Sequence, residues 1–243
     1  MILEIDIGNT RVKWRIVTGS KIILRGTQSS QNVLRQGRLA INDQYLFSQV
    51  RLCCVAGSAL ESLVCGQLAA DFDIPIFIAR VSRVAGPVKC GYKNPMMLGI
   101  DRWLGILACY ASASRDFVVV DAGTAMTIDV VKANGLHLGG YICPGQELLR
   151  NSLNSVVQKL RVSALQKCRE GSAPVSTEEA ILRGCLMSSV ALIERICNEE
   201  PRDLYITGGD AMSLLGELSL EANFVEDLVL NGLSVTGLVF EVF

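Results

Sequence analysis

Two short segments of the sequence combine an aspartate, a glycine and a threonine between apolar stretches. In the first, Asp6-Ile-Gly-Asn-Thr10 overlaps the end of the mainly apolar residues 1–7 and precedes residues 11–17, in which polar and apolar side chains alternate. This pattern predicts a strand, a tight turn and a returning antiparallel strand, and both Gly8 and Asn9 tolerate a positive φ. Backbone N–H groups of such a turn can bind phosphate oxygens, and a carboxylate at the strand end can hold hydrated Mg²⁺ beside them. An ordinary hairpin with an Asx-type turn is the alternative.

The second segment, Asp121-Ala-Gly-Thr124, lies within residues 118–131 and repeats the order of apolar strand, turn and second strand. Almost half of the 243-residue chain separates Asp6 from Asp121. A repeat at this spacing predicts two related halves. If the turns of both halves face a common cleft, they form the two phosphate-binding loops that a nucleoside triphosphate held between two domains requires.

A third candidate for chemistry is the pair Asp101-Arg102. The residues before it, 85–95, contain several glycines and prolines and are predicted to form a loop. From Asp101 to residue 114 the apolar spacing predicts a helix. An aspartate near a helix start is often a cap or a first-turn acid favoured by the helix dipole. The functional alternative is a carboxylate general base at the rim of the cleft.

Composition excludes several classes of function. Half of the residues are hydrophobic, 19 % are charged and the net charge is −1, so the sequence predicts a globular protein without a basic nucleic-acid surface. Glu4 and Asp6 occur where a signal peptide would be cationic and then apolar, and no apolar stretch is long enough for a membrane span. With nine cysteines, one histidine and no C-x-x-C pair, a zinc site is not expected. These features predict a cytoplasmic protein whose cysteines are reduced core residues.

Periodicity outlines the elements that position these groups. In the first half it predicts strands at residues 21–27, 48–55 and 75–79 and a helix at 59–72, a mixed sheet flanked by helices. In the second half it predicts strands at 136–143, 204–207 and 224–225, a loop at 163–176, and helices at 177–198 and 227–240. A further helix is predicted to begin at Pro144, and a capping sequence starts at Ser176.

Five motifs in order carry a family resemblance: Asp6-x-Gly-Asn-Thr, Gly99-x-Asp-Arg-Trp, Asp121-x-Gly-Thr-Ala, His137-x-Gly-Gly-Tyr-Ile-x-Pro-Gly and Thr207-Gly-Gly-Asp. Together they resemble bacterial type III pantothenate kinases, of the superfamily of acetate and sugar kinases, heat-shock ATPases and actin. The resemblance implies an α/β fold with two ribonuclease H-like domains, each a mixed β-sheet with flanking helices, and a nucleotide cleft between them. The expected domains are residues 1–114 and 115–243.

The resemblance also implies site residues. It makes Asp101 the general base, with ATP as phosphoryl donor and pantothenate as substrate. ATP would contact Asp6, Ile7, Gly8, Asn9, Thr10, Arg11, Val12, Lys13, Thr124, Gly208 and Gly209. Pantothenate would contact Tyr92, Gly99, Ile100, Asp101, Arg102 and Thr177. Metal sites would be Asp121 for a monovalent cation, K⁺ or NH₄⁺, and Asp6 for Mg²⁺ through water.

The family is dimeric, which implies a homodimer with the substrate pocket at the interface and Thr177 supplied by a partner subunit. Arg102 fits either the pantothenate carboxylate or the transferred phosphate, and the residues alone leave both open. Two other functions are compatible with the phosphate turns: a kinase or phosphatase of the same superfamily acting on another small molecule, and a non-catalytic nucleotide-binding regulator.

Overall fold

The chain forms two compact units. A computed structural model describes residues 1–41, 44–156 and 173–243. The first unit comprises Met1–Ser112, Asn134–Leu138 and Asp227–Phe243, and the second comprises Ala113–Ala133 and Gly139–Glu226. The expected domains 1–114 and 115–243 stay a prediction. The second unit begins at Ala113, close to the expected boundary, but the C-terminal segment Asp227–Phe243 belongs to the first unit.

The first unit contains a six-stranded mixed sheet in the order β13-β5-β4-β1-β2-β3. Its antiparallel meander and the parallel strands beside it were expected. The strands are β1 (Ile2–Ile7), β2 (Arg11–Thr18), β3 (Lys21–Ser29), β4 (Gln49–Cys54), β5 (Ile76–Arg80) and β13 (Val239–Val242). The helices are α1 (Ser30–Gln36), α2 (Ser58–Asp71), α3 (Ile100–Tyr110) and α7 (Leu228–Gly232). The predicted loop 85–95 contains two short antiparallel strands, β6 (Val84–Ala85) and β7 (Val88–Lys89), and a 3₁₀ turn follows at Pro95–Met97.

Burial explains why the central strands of this unit are apolar. β1 pairs with β2 on one side and with β4 on the other, so its alternate residues Leu3, Ile5 and Ile7 are completely buried. Helix α2 makes the crossover between the parallel strands β4 and β5 and places Val64 and Leu68 in the same core. At about 25 cal/mol per Å² of apolar surface, this core is the main source of the unit's stability.

The predicted helix at residues 227–240 is wrong. Only α7 is helical there, and β13 then pairs antiparallel with β5 at the sheet edge. Gly237 has a φ of +90°, and a Cβ at Gly232 would lie 2.4 Å from the Leu104 carbonyl oxygen, so both glycines serve close backbone packing rather than one continuous helix. A buried network holds the segment: Arg15 Nε donates to Glu4 at 2.6 Å, and Arg15 Nη1 donates to Asn231 Oδ1 at 2.6 Å.

The second unit contains a five-stranded mixed sheet in the order β10-β9-β8-β11-β12. Strand β8 is antiparallel to β9 and parallel to β11, and β12 is parallel to β11. The strands are β8 (Phe117–Ala122), β9 (Ala125–Val131), β10 (His137–Pro144), β11 (Asp203–Thr207) and β12 (Asn223–Phe224). The helices are α4 (Gln146–Val156), α5 (Thr177–Cys197) and α6 (Ala211–Leu215).

Two predicted helix starts, at Ser176 and at Pro144, can be compared with the structure of this unit. The Ser176 hydroxyl accepts the Glu179 N–H at 3.2 Å, which confirms the predicted cap of α5. Pro144 is the last residue of β10 rather than the first of a helix, since α4 begins at Gln146. Most of the predicted loop 163–176 lies outside the described residues. Among the helices of residues 1–41, 44–156 and 173–243, none combines the length and apolarity that crossing a bilayer requires.

Both units therefore share the predicted architecture, a mixed sheet that begins with a β-hairpin and is flanked by helices. The predicted α/β fold class with two mixed β-sheets is confirmed.

Candidate active site

The predicted first phosphate turn, Gly8–Thr10, connects β1 to β2. The Gly8 N–H donates to the Arg11 carbonyl at 3.0 Å. Ser30, at the start of α1, donates its hydroxyl to the Gly8 carbonyl at 2.6 Å and its N–H to the Thr10 carbonyl at 3.0 Å. Neither Gly8 nor Asn9 has a positive φ. A Cβ on Gly8 would lie 2.9 Å from the Arg11 carbonyl oxygen, so the turn needs glycine for close approach rather than for a left-handed backbone.

Asp6 lies near the end of β1, between Lys13 on β2 and Cys53 on β4 in the sheet register. The Cys53 thiol donates to Asp6 Oδ1 with a sulfur–oxygen distance of 3.5 Å, and Cys53 is only 1 % exposed. Burial, followed by the negative charges of Asp6 and Asp101, raises the pKa of this thiol well above its usual range. The thiol therefore stays protonated near neutral pH and remains a donor to Asp6.

Asp101 occupies the first turn of α3. Its Oδ1 accepts the Arg102 N–H at 2.8 Å, a bond that fixes the carboxylate at the helix start. A Cβ on Gly99 would lie 2.4 Å from that oxygen, so the glycine leaves the space that the carboxylate occupies. Asp101 thus has the local role of a first-turn acid. The same hydrogen bond orients the carboxylate that the family resemblance makes the general base.

Arg102 and Tyr92 form a pair beside Asp101. Arg102 is 7 % exposed, its Nη1 donates to the Tyr92 hydroxyl oxygen at 2.8 Å, and its Cζ lies 5.6 Å from the centroid of the Tyr92 ring. The Tyr92 ring stacks on His137, with the centroids 5.9 Å apart and the planes 14° apart. The structure therefore brings Tyr92, Gly99, Asp101 and Arg102 together. Ile100 is adjacent, but its side chain is buried, so only its backbone can serve a ligand.

The second phosphate turn connects β8 to β9 through Gly123 and Thr124. The Gly123 N–H donates to the Ala125 carbonyl at 3.2 Å, and the Gly145 N–H donates to the Thr124 carbonyl at 3.0 Å. The chain after β11 also reaches this turn, because the Asp210 N–H donates to the Ala122 carbonyl at 3.0 Å. Predicted ATP residues Thr124, Gly208 and Gly209 are thus neighbours in the second unit, together with Asp121 at the end of β8.

Two glycines allow this convergence. A Cβ on Gly145 would lie 2.1 Å from the Gly123 carbonyl oxygen. At Gly208, where φ is +99°, a Cβ would lie 2.4 Å from the Ala122 carbonyl oxygen. Both positions exclude any side chain, so the backbone after β10 and the backbone after β11 lie directly on the turn.

Sequence reasoning assigned no role to His137, placed Asp210 beside the adenosine only through the family resemblance, and interpreted Cys53 as one of the reduced core cysteines. The Asp210 carboxylate accepts the Gln146 N–H at the start of α4, and burial raises the pKa of this carboxyl while Arg150 lowers it. Asp210 and His137 were part of quoted motifs, and His137 is the only histidine of the chain, which could have drawn attention to them. For Cys53 the sequence offered no signal beyond its position at a strand end.

Thr177, a predicted pantothenate contact, is exposed at the first turn of α5. It borders an open groove of about 430 Å³ between α4 and α5, lined mainly by apolar atoms. The other lining residues are Leu149, Ser152, Leu153, Ala180, Ile181, Gly184, Cys185 and Ser188. This groove belongs to the second unit, whereas Tyr92, Gly99 and Arg102 belong to the first.

Comparison with known proteins identifies the family. A family model described as type III pantothenate kinase matches residues 2–199. The chain belongs to the type III pantothenate kinase family. The type III pantothenate kinase of Ectopseudomonas mendocina is 35 % identical over 249 residues, which cover 97 % of this chain and 98 % of that protein. The type III pantothenate kinase of Pseudomonas fluorescens is 34 % identical over 247 residues, with the same coverage.

Solved structures support the fold alone. A conserved putative Baf family transcriptional activator from Campylobacter jejuni is 24 % identical and superimposes with a TM-score of 0.62 over 95 % of this chain and 94 % of that one. A putative 2-dehydro-3-deoxygalactonokinase from Sinorhizobium meliloti is 13 % identical, with a TM-score of 0.59 over 96 % and 97 % of the two chains. Both likenesses show that the fold is shared and nothing about the function of this chain.

The two predicted cation ligands, Asp6 and Asp121, have different neighbours. In the part of the chain that the structure describes, no three His, Cys, Asp or Glu side chains are grouped as in a dedicated metal centre. Mg²⁺ in kinases is usually held by one or two carboxylates, waters and substrate phosphates, and Asp6 fits that arrangement. The register neighbours of Asp121 are Thr127 and Thr207, whose hydroxyl oxygens suit a weakly hydrated monovalent cation.

Proposed function

We propose that Asp101 is the general base in the phosphorylation of pantothenate by ATP. Family membership makes the protein a pantothenate kinase, the enzyme of the first step of coenzyme A biosynthesis, with ATP and a divalent metal as its requirements. The observation that carries the assignment is local. The Asp101 carboxylate accepts the Arg102 N–H at the start of α3, and α3 packs on β4, the strand that pairs with β1 beside Asp6. The proposed base and the predicted first phosphate turn therefore belong to neighbouring elements of the first unit.

The chemistry needs a proton acceptor. The primary hydroxyl of pantothenate has a very high pKa, so its proton must leave as the oxygen attacks the γ-phosphorus. In our proposal Asp101 takes that proton while the bond from the γ-phosphorus to the β-phosphate oxygen breaks and ADP departs. A well-placed carboxylate contributes roughly 10²–10⁴-fold in such a step. Positioning and charge neutralisation of the phosphates supply most of the remainder.

ATP binding is proposed for both turns. Backbone N–H groups of residues 6–13 and Thr124 would hold the phosphates. The close backbone packing at Gly208 and the open space at Gly209 would leave a flat surface for adenosine. Mg²⁺, which neutralises phosphate charge when bound, would be held by Asp6 through water. A monovalent cation, K⁺ or NH₄⁺, would be held by Asp121.

Pantothenate binding is proposed for the pair of Arg102 and Tyr92 and for the backbone of Gly99 and Ile100. Arg102 supplies a positive charge in a nearly buried position, where a guanidinium binds an anionic oxygen pair bidentately. Its hydroxyl partner Tyr92 keeps the guanidinium in place beside Asp101.

A homodimer is proposed as the active form, with Thr177 reaching a partner subunit's pantothenate. Support comes from the apolar groove between α4 and α5, because exposed apolar surface of this kind is typical of interfaces. A cytoplasmic location stays the prediction made from the sequence.

The test is the variant Asp101→Asn in a coupled ADP-release assay. We expect kcat to fall at least about 10²-fold, or roughly 3 kcal/mol of barrier, with the KM for ATP within twofold of wild type. The matched control is Asp73→Asn, an exposed aspartate of the same unit, which should leave all parameters unchanged. Activity of Asp101→Asn within about threefold of wild type would remove Asp101 as the base.

A further inference from the structure

Arg83 holds the backbone of the Tyr92 loop. Its Nη1 donates to the Tyr92 carbonyl at 2.8 Å, and its Nη2 donates to the Lys93 carbonyl at 2.8 Å. The Cys90 N–H in turn donates to the Arg83 carbonyl at 3.0 Å, so the arginine is bonded to this loop through its backbone and its side chain. The planar fork of a guanidinium places two donors side by side for two neighbouring acceptors, a fixed geometry that the point charge of an ammonium lacks.

The opposite side of the loop is also fixed. A Cβ on Gly91 would lie 1.9 Å from the His137 carbonyl oxygen, so the segment Asn134–Leu138 passes directly against the loop. The Lys89 N–H donates to the Gly135 carbonyl at 2.9 Å in the same place. The completely buried His137 ring then stacks on the Tyr92 ring.

We propose that Arg83 is a positioning residue for pantothenate: it fixes the Tyr92 loop, and through the Tyr92 hydroxyl it fixes the Arg102 guanidinium. This inference rests on the proposed contacts of Tyr92 and Arg102 with pantothenate. Among the described residues, the side-chain hydrogen bonds of Arg83 go to backbone carbonyls of the loop, and its effect is transmitted through Tyr92.

A second explanation of any Arg83 effect is simple attraction between its charge and the anionic substrate. Two substitutions separate the explanations. Arg83→Lys keeps the charge but loses the planar fork that serves both carbonyls, whereas Arg83→Met removes the charge and both bonds. The geometric role predicts that both variants are impaired, and the attraction predicts that lysine restores the wild-type behaviour.

The experiment measures steady-state kinetics of the full-length enzyme. We expect both Arg83 variants to raise the KM for pantothenate about tenfold, with the KM for ATP within twofold and kcat within threefold of wild type. The control is Arg38→Met, an exposed arginine of the same unit that pairs with Asp71 at 3.1 Å, and it should change none of these values. A general loss of folding would not act on one substrate alone.

A structural readout accompanies the kinetics. Hydrogen exchange of the peptide covering residues 90–98 should be faster in Arg83→Met and should slow again when saturating pantothenate is added. An unchanged KM for pantothenate in both Arg83 variants would overturn the inference, and so would full rescue by lysine. Tyr92→Ala separates a failure of the Arg83 proposal from a failure of the proposed pantothenate contact. If Tyr92→Ala also leaves the KM for pantothenate unchanged, the proposed contact of Tyr92 fails as well.

Discussion

The two phosphate turns have the same order of strand, turn and strand, but they are built differently. The first turn is held by its own short loop and by Ser30, which bonds both Gly8 and Thr10. The second is held by backbone from elsewhere in the second unit, at Gly145 and Asp210. In the first turn, the position where no side chain fits is Gly8, within the turn itself. For the second turn, the corresponding positions are Gly145 and Gly208, which lie in other segments of the chain.

The aspartates of the two turns also differ in their neighbours. Asp6 lies between Lys13 and Cys53 in the sheet register, whereas Asp121 lies between two threonines. Residues in register on adjacent strands share one face of the sheet, so these neighbours define the local chemistry. A duplicated motif can thus provide two different cation environments, and the difference can be tested by substitution.

The largest effect is expected from asparagine substitutions of Asp6 and Asp121, which should change the responses to different cations. Asp6→Asn should lower kcat/KM for ATP about 10²-fold, roughly 3 kcal/mol, and raise the Mg²⁺ concentration needed for half-maximal activity. Asp121→Asn should instead abolish stimulation by KCl while the Mg²⁺ requirement stays unchanged. Titrations of both cations with each variant measure this. If both variants lose the same cation response, the two turns are chemically equivalent.

The next effect concerns the glycine beside the second turn. Gly145→Ala should lower the free energy of unfolding by about 3 kcal/mol, because the new methyl group would meet the Gly123 carbonyl oxygen at 2.1 Å. Urea unfolding followed by circular dichroism measures the change. Gly66→Ala, in helix α2 with open space around its Cβ position, is the control and should stabilise by up to about 1 kcal/mol. Equal effects at the two positions would contradict the close approach at Gly145.

A smaller effect on stability is expected from alanine substitutions of the glycines within the two turns, Gly8 and Gly123. Gly8→Ala should cost about 1–2 kcal/mol and raise the KM for ATP, because a Cβ would lie 2.9 Å from backbone oxygen. Gly123→Ala should cost less than about 0.5 kcal/mol, because its nearest atoms lie at an ordinary contact distance of 3.5 Å. Urea unfolding and ATP kinetics of both variants decide this. A cost at Gly123 as large as at Gly8 would show that the second turn is equally tight.

The smallest effect is the pH dependence contributed by Cys53. Burial, with the charge of Asp6, raises the pKa of its thiol in the folded state, so its contribution to stability is complete below the unfolded thiol pKa of about 8.5. That contribution is lost as pH rises towards the folded pKa, by at most about 1.4 kcal/mol per pH unit. Cys53→Ser, which does not ionise, should therefore differ from wild type by less than about 1 kcal/mol at pH 7 and gain relative stability between pH 8.5 and 10. Parallel unfolding curves across this pH range, measured in reductant, would contradict a raised thiol pKa.

Local patterns predicted those parts of the fold that depend on neighbours in the chain. The hairpin of β1 and β2, the helix beginning near Asp101 and the cap at Ser176 follow from alternation, helical spacing and side-chain chemistry within a few residues. The predicted helix at 227–240 failed because branched apolar residues suit both helix and strand, and its strand partner β5 is distant in sequence. Cys53 was interpreted as a core residue because only the parallel pairing of β1 and β4 places it against Asp6.

By itself, the sequence determined the duplicated strand–turn–strand plan, the family and the identity of the acidic groups, because these depend on residue types at fixed spacing. Only the tertiary structure decided which glycines must lack a side chain, which thiol faces Asp6 and which arginine holds Tyr92. Those relations depend on contacts between segments that pairing and packing bring together, and no spacing along the chain encodes their distances.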